Sequence, residues 1–585
     1  MFEEEKLLIK SLIRAYLITE GIDEPVPEFR QIPFSGEWGL AIPLFPIAAS
    51  GTRSGKKLNV PKRAQELAQG IKSYLGDSLT GFSHAEAVNG YLNLYFSTSE
   101  YASRVVDTVL EAGLDYGRGI DQDQTVMVEY SQPNTHKAFH VGHLRNVILG
   151  GSICRILEFA GNNVIRANYL GDIGLHVVKW MWNYLKNHAG ETPDADRTHW
   201  MNQIYAEADR LFQEPENEAE VRELYARWNA KDPEIVELWK KTRQWSLEGF
   251  EQIYNQLDES FDRVYFESEV EESGSNMVEG LIESRIAQDE RPDGPVFIDL
   301  DGILGTEDEY RVLVVLRSDG SSLYATKDLP LAIQKFLEYD LDKSIYVIDV
   351  RQSLYLKQIF KTLEILGYEW ADKLYHLAYE LVNLPGNVTM ASREGTVVLF
   401  DDLIKEATSR AFAIVDEKNP ELSEGVKDEI AEAVALGALK YTMLSRDNTK
   451  VVTFDWDAAL DFNGQAAPYI QYAHVRAGSI LRRAGAELPQ QADFPDDLHQ
   501  AEVDLIELMT RLPVEVLRAA EDYRPLIIAN LSFDLAKAFN DFYNTCQVLN
   551  AEQGVREYRL RLVAAAQQVI ANSLNLLGIR APGMM

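Results

Sequence analysis

The spacing of hydrophobic residues changes several times along the chain, and each change predicts a different kind of element. In the first part, alternation in AVNGYLNLYF predicts a strand, and YASRVVDTVLEAG predicts a helix that ends at Gly113. The start, MFEEEKLLIKSLIRAYL, has the spacing of an amphipathic helix and carries acid where a signal peptide would carry base. We predict a mixed α/β amino-terminal domain over residues 1–115.

From residue 116 onward, strand and helix patterns alternate. TVMVEYS is a β-rich run, a polar loop and the helical LRNVILGGSICRILEFAG follow it, and NNVIRANYL is the next strand. Strand, helix and strand at this spacing predict a parallel βαβ unit, in which ligands bind at the carboxyl ends of the strands. We expect a Rossmann-like parallel-sheet domain over 116–401, with SIYVIDV as a further strand and a helical, tryptophan-containing insertion at about 178–262.

The remaining residues, 402–585, have an almost wholly helical pattern. Amphipathic stretches such as DEIAEAVALGALKYTML and LIELMTRLPVEVLRAAE predict a helix bundle. The predicted fold class is therefore α/β plus all-α: a mixed α/β amino-terminal domain, a Rossmann-like domain with helical insertions, and a carboxyl-terminal helix bundle.

Composition and charge restrict the cellular compartment and the partners expected for these domains. Of the 585 residues, 46% are hydrophobic and 25% charged, as in an ordinary packed globular protein. Only two cysteines, Cys154 and Cys546, and no run of about 18 apolar residues favour a cytoplasmic protein without a membrane span. The net charge of −34 argues against nonspecific nucleic-acid binding, although it leaves room for a local basic surface.

The most informative segment is VEYSQPNTHKAFHVGHLRN, residues 128–146, which follows a predicted strand and opens a predicted helix. A helix amino terminus offers free N–H groups and a positive dipole end, which suit a phosphate. His140 and His143 are close to one helical turn apart and can face the same bound group. Gly142 lacks a Cβ and would let an adenine or ribose approach the backbone, and Lys137 can meet a phosphate as a point charge.

The histidine pair alone leaves alternatives open. An H-x-G-H sequence fixes only three positions, and paired histidines also serve as metal ligands or as a helix cap. Zinc is disfavoured because no Cys or Glu at close spacing completes a ligand set. We therefore expect no dedicated metal site.

The longer string resembles a known family. HVGH, residues 140–143, is similar to the HIGH signature of class I aminoacyl-tRNA synthetases, and EYSQPNTHKAFHVGHLR resembles the arginine-specific branch, which reads EFSSPNxxKxxHxGHLR. YLGDIG, FESE and LYATKD resemble the GDWG, GES and LYxTxD segments of that branch. FDWDAALDFNGQAAPYIQYAHVR, residues 454–476, resembles its FDxxxALxxxxxxPYxQYAHAR block, so the likeness extends over nearly the whole chain.

The resemblance implies a two-step reaction. L-Arginine is activated by ATP, accompanied by Mg²⁺, to arginyl-adenylate, and the arginyl group is then transferred to tRNA(Arg). A guanidinium keeps its charge and presents a planar fork of donors, so buried carboxylates suit it. By resemblance, Glu267, Tyr324 and Asp328 hold the guanidinium, while Glu129, Asn134 and Gln352 hold the amino-acid end. We expect the enzyme to be a monomer.

The implied site residues fall into four groups. The catalytic group is His140, His143 and Lys137. The ATP-binding group is His140, Gly142, His143, Met390, Ser392 and Arg393. The arginine-binding group is Glu129, Ser131, Asn134, Glu267, Tyr324, Asp328 and Gln352. The tRNA-binding group is Asn93, Tyr469, Gln471, Tyr472, Arg476 and Met585.

Two positions depart from the family pattern. In TMASREG, residues 389–395, Thr389 and Glu394 stand where lysines of the second class I signature, often KMSTRKG, commonly stand, and Glu394 would repel a triphosphate. Tyr355 stands where the family commonly has His. One reading is an active enzyme in which Lys137 supplies the missing charge; the other is a catalytically impaired paralogue with a tRNA-binding or regulatory role. A small nucleotidyltransferase is a third class, but it would not need residues 402–585.

Overall fold

The computed structural model describes residues 2–32, 36–50, 59–76, 79, 81–193, 196–384, 388–389, 398–485 and 487–585. The chain forms two compact units. The first comprises Met1–Tyr116, Arg476–Arg511 and Lys537–Val569. The second comprises Gly117–Val475, Leu512–Ala536 and Ile570–Met585.

The first unit contains a four-stranded antiparallel sheet in the order β1-β2-β4-β3. Its strands are β1 (Arg30–Ile32), β2 (Gly39–Pro43), β3 (His84–Val88) and β4 (Tyr91–Tyr95). Its amino-terminal helices are α1 (Glu3–Thr19), α2 (Phe45–Ser50), α3 (Val60–Leu75) and α4 (Thr98–Ala112). As predicted, α4 ends at Gly113, whose φ of +55° an L side chain would adopt only with strain.

The single strand predicted in AVNGYLNLYF is wrong, because this stretch turns back on itself. β3 and β4 form a hairpin in which Val88 pairs with Tyr91 across the two-residue turn Asn89–Gly90. Both turn residues have positive φ, +50° and +84°, as the favoured two-residue hairpin turns require. The Asn-Gly pair is itself the sequence signal for such a turn, and the alternation on either side obscured it.

The second unit contains a five-stranded parallel sheet in the order β12-β11-β5-β6-β7. These strands are β5 (Thr125–Glu129), β6 (Asn163–Leu170), β7 (Arg263–Phe266), β11 (Lys343–Asp349) and β12 (Leu374–Tyr379). The strand order reverses between β5 and β11, and in open α/β sheets ligands bind in the crevice at such a reversal. The predicted Rossmann-like sheet is confirmed.

Helix α5 (Val141–Phe159) joins β5 to β6 and packs closely on its surroundings. A Cβ added to Gly150 would lie 2.3 Å from Cγ of Tyr130, and one added to Gly151 would lie 2.0 Å from Oε1 of Glu259. The glycine pair therefore lets the Tyr130 ring and the Glu259 carboxylate contact the backbone of α5. This packing fixes the helix whose amino terminus carries the histidine pair.

The stretch between β6 and β7 is helical, as its pattern predicted. Its helices are α6 (Leu175–Asn187), α7 (Arg197–Leu211), α8 (Pro215–Asn229) and α9 (Pro233–Leu257). They enclose an apolar cluster of their own that contains Trp180, Trp182 and Met201. The chain then forms α10 (Glu267–Glu283), β8 (Gln288–Asp289), β9 (Val296–Asp299), α11 (Leu300–Leu304), β10 (Val312–Leu316), α12 (Tyr324–Glu338) and α13 (Ser353–Ile365).

The last third of the chain is helical, also as predicted. After the short strands β13 (Val382–Leu384) and β14 (Val388–Thr389) come α14 (Phe400–Lys418), α15 (Glu424–Leu444), β15 (Val452–Thr453), α16 (Trp456–Ala459), α17 (Ala467–Ala484), α18 (Gln500–Asp522), α19 (Pro525–Thr545) and α20 (Gln553–Leu576). Within the described ranges, none of the helices has the length and apolar character that a membrane crossing demands.

Candidate functional site

The histidine pair lies at the amino terminus of α5, directly beyond the loop that leaves β5 at the strand-order reversal. His140 is the N-cap residue: its Nδ1 accepts a hydrogen bond from the backbone N–H of Gly142 at 3.1 Å. In return, the backbone N–H of His140 donates to Nδ1 of His143 at 3.3 Å. Both imidazoles therefore satisfy backbone groups of the first helical turn, which makes them a helix cap as well as a candidate phosphate site.

The two imidazole rings are stacked, with their centroids 3.9 Å apart and their planes inclined by 17°. Burial, assisted by the charge of Lys137, lowers the pKa of His140 to about 4 and that of His143 well below its usual value. Both rings are therefore neutral near pH 7. Gly142 also leaves room for the His140 ring, because a Cβ there would lie 2.9 Å from Cε1 of His140.

The Lys137 side chain lies against an aromatic ring. Its Nζ lies 5.4 Å from the ring centroid of Tyr205, on α7. Burial lowers the pKa of Lys137, Asp209 raises it and Lys179 lowers it. Among the described residues no carboxylate is paired directly with this partly buried ammonium, which suits it to an incoming phosphate.

The loop between β5 and α5 has an unusual backbone. Ser131, Gln132 and His136 have φ values of +78°, +52° and +63°, a region in which non-glycine residues are uncommon. Hydrogen bonds hold this conformation: the N–H of Ser131 donates to Oδ1 of Asn146 at 2.7 Å, and its hydroxyl lies 2.7 Å from that of Tyr254. The predicted arginine contact Ser131 is therefore a buried loop anchor whose side chain is already engaged.

A cluster of acidic residues lies in the same unit. Tyr355 on α13 donates its hydroxyl hydrogen to Oδ2 of Asp328 on α12. Burial, Glu129 and Glu267 raise the pKa of Asp328 to about 7, against the lowering effect of the Tyr355 hydrogen bond. Asp328 therefore titrates near neutrality and gains from any cation placed beside it.

Glu267 opens α10 and is buried, and its Oε2 accepts a hydrogen bond from Nζ of Lys327 at 2.7 Å. Burial still raises the pKa of Glu267 overall. The start of α10 is fixed by Asp172, whose carboxylate accepts from the N–H of Ser268 at 2.9 Å and from Arg243 at 2.7 Å. The structure thus brings Glu267 and Asp328 into one electrostatic neighbourhood, as the sequence predicted.

The other predicted arginine contacts are more varied in their surroundings. Glu129, at the end of β5, pairs with the buried Lys335 and accepts from Nε2 of Gln132 at 2.9 Å. Asn134 forms an isolated parallel β-bridge with Gly171. A Cβ at Gly171 would lie 2.1 Å from Oδ1 of Asn134, so glycine leaves room for the Asn134 side chain. Gln352 is exposed, and Tyr324 is 66% exposed although it lies near both Glu267 and Asp328.

Two residues that the sequence analysis did not single out lie in or near the YLGDIG segment: Tyr169 is its first residue, and His176 follows its last residue by two positions. The hydroxyl of Tyr169 and Nε2 of His176 are shielded from solvent and have no hydrogen-bond partner within the described part of the chain. Tyr169 lies within electrostatic reach of Asp328 and Glu267, and His176 of Lys137 and Lys327. Unpaired polar atoms are uncommon inside proteins, so both are candidates for contacting a substrate. The signal in the sequence was their position, Tyr169 within a matched motif and His176 just after it.

The predicted RNA contacts on α17 divide into surface and interior. Tyr469 is partly buried, with its ring centroid 5.4 Å from that of Phe533, and Tyr472 is 37% exposed. Gln471 is fully buried, and its Nε2 donates to the carbonyl oxygens of Ala433 at 3.1 Å and Arg580 at 2.9 Å. In this conformation Gln471 fastens the end of the chain to α17 and presents nothing to a base.

Three further predicted RNA contacts have defined surroundings. In the first unit, Nδ2 of Asn93 donates to the Tyr95 hydroxyl at 3.4 Å, and the Arg476 guanidinium lies 4.7 Å from the ring centroid of Tyr543. Met585 is partly buried in the second unit. Met390, Ser392 and Arg393, predicted to contact ATP, lie outside the described residues, as does Glu394.

Comparison with known proteins decides which family this is. Residues 105–456 match the family described as class I tRNA synthetases (R), catalytic domain, and residues 470–585 match the DALR anticodon binding domain. The chain belongs to the arginine–tRNA ligase family. It is similar to the arginine–tRNA ligase of Treponema denticola, with 36% identity over 95% of both chains, and to that of Bacteroides thetaiotaomicron, with 34% identity over 90% of this chain and 91% of the relative.

Solved structures of the arginine–tRNA ligase family have the same fold. The Thermus thermophilus arginyl-tRNA synthetase superposes with a TM-score of 0.74 and 28% identity over 99% of both chains. The Plasmodium falciparum arginyl-tRNA synthetase superposes with a TM-score of 0.71 over 99% of this chain and 98% of that one, at an identity of 22% that speaks for the fold alone. The predicted fold class, with a Rossmann-like catalytic domain and a helical carboxyl-terminal domain, is confirmed. The predicted enzyme class, an aminoacyl-tRNA ligase, is confirmed as well.

Proposed function

We propose that this protein uses ATP to activate L-arginine as arginyl-adenylate and then transfers the arginyl group to tRNA(Arg). The observation that carries the proposal is the placement, in one unit, of a histidine-capped helix terminus for phosphate and a cluster of carboxylates, Glu267 and Asp328, for a guanidinium. Membership of the arginine–tRNA ligase family gives the reaction, and these groups give the residues that perform it.

The activation step joins the arginine carboxylate to the α-phosphate of ATP and releases pyrophosphate. The protein's task is to hold both reactants and to stabilise the charge that develops on phosphate oxygens. We assign this stabilisation to the Lys137 ammonium and to the positive end of the α5 dipole. His140 and His143 are neutral, so they act as hydrogen-bond donors from Nε2, which their Nδ1 acceptor bonds leave protonated.

Arginine selectivity follows from the acidic cluster. Asp328 and Glu267 offer two carboxylates to the planar fork of a guanidinium, and Tyr324 and Tyr169 offer aromatic rings and hydroxyls beside them. Lysine carries the same charge as a single point and cannot pair with both carboxylates in the same plane. We assign Glu129, Asn134 and Gln352 to the amino-acid end, with Ser131 holding the loop in place.

A division of labour among three segments is part of this proposal. Residues 1–115 would contact the body of the tRNA, with Asn93 among the contacts, residues 116–401 would perform the chemistry, and residues 402–585 would bind the anticodon. Unpaired loop bases are recognised by stacking on aromatic rings, and Tyr472, Tyr469 and Arg476 are suited to that. We also assign Met585 to the tRNA contacts. Gln471 is buried and stabilises the packing of α17. We place the protein in the cytoplasm as a monomer.

Mg²⁺ belongs to the proposal as a companion of ATP. Across the described ranges, no group of three or more His, Cys, Asp or Glu side chains is arranged to hold a metal ion. We assign Mg²⁺ to the triphosphate, as the ion that accompanies ATP, and Met390, Ser392 and Arg393 to the nucleotide.

The proposal favours an active enzyme over an impaired paralogue. A protein that only bound tRNA would not need a partly buried Lys137 ammonium, or a carboxyl group at Asp328 whose pKa burial raises to about 7. Burying the Lys137 ammonium or the Asp328 carboxylate costs free energy in the absence of a ligand, and that cost is offset when a substrate group of opposite charge pairs with it.

Arginylation by the purified protein tests the proposal. Wild type, Lys137→Ala and the matched control Lys405→Ala, whose lysine is exposed on α14, are incubated with labelled arginine, ATP, Mg²⁺ and tRNA(Arg). We expect charging by wild type and control, and a loss of roughly 100-fold or more in Lys137→Ala, the scale of removing one preorganised charge-stabilising group. A folded wild-type protein that binds the tRNA but attaches no arginine would contradict the proposed function.

A further inference from the structure

The helical insertion contacts the catalytic loop at its lysine. Tyr205, on α7 of the insertion, lies under Lys137, with 5.4 Å from Nζ to the ring centroid. The ring packs against the apolar cluster of the insertion and is itself partly buried. A residue of the insertion, 68 positions further along the chain, therefore contacts the side chain to which we assign phosphate binding.

Asp209, an acid that raises the pKa of Lys137, is already engaged by another lysine. Asp209, one turn beyond Tyr205 on α7, pairs its Oδ1 with Nζ of Lys179 at 2.9 Å. The Lys179 ammonium also lies over the Phe212 ring, 3.8 Å from its centroid. Asp209 thus acts on Lys137 through space, while the direct contact is aromatic. A ring face attracts an ammonium without offering it an oxygen, so the charge of Lys137 stays available to a phosphate.

The backbone beside Lys137 is also fixed to the insertion. His136 is fully buried, with Nε2 2.8 Å from the hydroxyl of Thr242 on α9, and its N–H donates to Oγ of Ser246 at 2.9 Å. Its ring meets Trp180 of α6 at a centroid distance of 5.2 Å. These contacts stabilise the φ of +63° at His136. The strained residue that precedes Lys137 is therefore held by two helices of the insertion, α6 and α9.

We infer that the helical insertion is a working part of the ATP site, in which Tyr205 is a positioning residue that holds the Lys137 ammonium ready for the triphosphate. A lysine has four rotatable carbons, and a fixed ring face reduces the freedom it must lose when a phosphate binds. The inference rests on the proposed function. It matters more in this chain than it would elsewhere, because Thr389 and Glu394 replace two lysines of the second signature.

A double-mutant cycle tests the role of Tyr205. Tyr205→Leu removes the ring, Tyr205→Phe keeps it without the hydroxyl, and each is made in wild type and in Lys137→Ala. ATP–pyrophosphate exchange with tRNA(Arg) present gives kcat and the KM values for ATP and arginine, and calorimetry gives the Kd of ATP. Thermal denaturation of every variant shows that it is folded.

We expect Tyr205→Leu to lower kcat/KM for ATP roughly fivefold, the size of one partly buried cation–π contact, with the KM for arginine unchanged. Tyr205→Phe should recover most of the loss, and Tyr205→Leu should have no further effect when Lys137 is already alanine. An equal effect in both backgrounds, or no effect in wild type, would overturn the inference.

Failure of the proposed function is recognised separately. If wild type shows no exchange at all but binds ATP, the cycle is read on the Kd of ATP instead. Coupling between Tyr205 and Lys137 in that Kd would support the positioning role even then, whereas additive losses would overturn it.

Discussion

Tyr355 donates its hydroxyl hydrogen to the carboxylate of Asp328, which burial and two neighbouring glutamates otherwise push towards protonation. This pairing explains how the chain accommodates a tyrosine where its family commonly has histidine. The phenol stabilises the ionised form of Asp328, the form that a guanidinium needs. Tyr355 therefore influences arginine binding through Asp328.

The pKa of about 7 at Asp328 predicts a pH dependence. Below that pH the carboxyl of the free enzyme is protonated and neutral, so kcat/KM for arginine should fall about tenfold per unit as the pH decreases. Tyr355→Phe removes a hydrogen bond that lowers this pKa, so the acid limb should move to higher pH. Steady-state exchange between pH 5.5 and 8.5 measures it, with the exposed Tyr375→Phe as control; an unmoved limb in Tyr355→Phe would contradict the assignment.

Removing the charge of Asp328 should lower kcat/KM for arginine far more than it weakens ATP binding. Asp328→Asn keeps the shape of the side chain but leaves a guanidinium short of one carboxylate, and we expect kcat/KM for arginine to fall by about 3 kcal/mol, roughly 100-fold. The Kd of ATP should stay within about twofold of wild type. Asp308→Asn, at an exposed acid of the same unit, serves as control. Equal losses for both substrates would indicate a folding defect rather than lost recognition.

The fold was largely predictable because its strands and helices have regular spacing. TVMVEYS, NNVIRANYL and SIYVIDV all became strands of the parallel sheet. The hairpin at Asn89–Gly90 was missed because alternation continues on both sides of the turn, so one long strand and two short ones have the same pattern. Only the turn chemistry of the Asn-Gly pair distinguishes them.

The candidate site was predictable only where residues stand in a matched motif. Glu267 and Asp328, far apart in sequence, do lie in one electrostatic neighbourhood, as the motifs implied. Tyr205 has no such signal, because the insertion resembles any amphipathic helical stretch until its packing is known. At Gln471 the motif match indicates a constrained position, and burial can be the constraint as readily as contact with RNA.

His140 caps α5 and is also assigned to ATP, and one substitution separates the two roles. Asparagine is among the best N-cap residues, so His140→Asn should leave the free energy of unfolding within about 0.5 kcal/mol of wild type, whereas His140→Ala should lose about 1 kcal/mol. If the imidazole contacts ATP, both variants should lose roughly 100-fold in kcat for activation. Denaturant unfolding and exchange kinetics measure the two quantities. If His140→Asn kept wild-type activity, His140 would serve only as the N-cap of α5 and would not contact ATP.

Gln471 should matter for stability rather than for direct contact with the anticodon. Gln471→Leu fills a similar volume but removes the side-chain donor of the Arg580 carbonyl and the additional bond to the Ala433 carbonyl of α15, so we expect a loss of about 1–3 kcal/mol in the free energy of unfolding. Tyr472→Ala, on the exposed face of the same helix, should instead weaken tRNA(Arg) binding by about 1–3 kcal/mol with little change in stability, because a base loses its stacking partner. Thermal denaturation and filter binding distinguish the two effects. If Gln471→Leu weakened RNA binding as much as Tyr472→Ala while its melting temperature stayed unchanged, the side chain would have to leave the interior when tRNA binds.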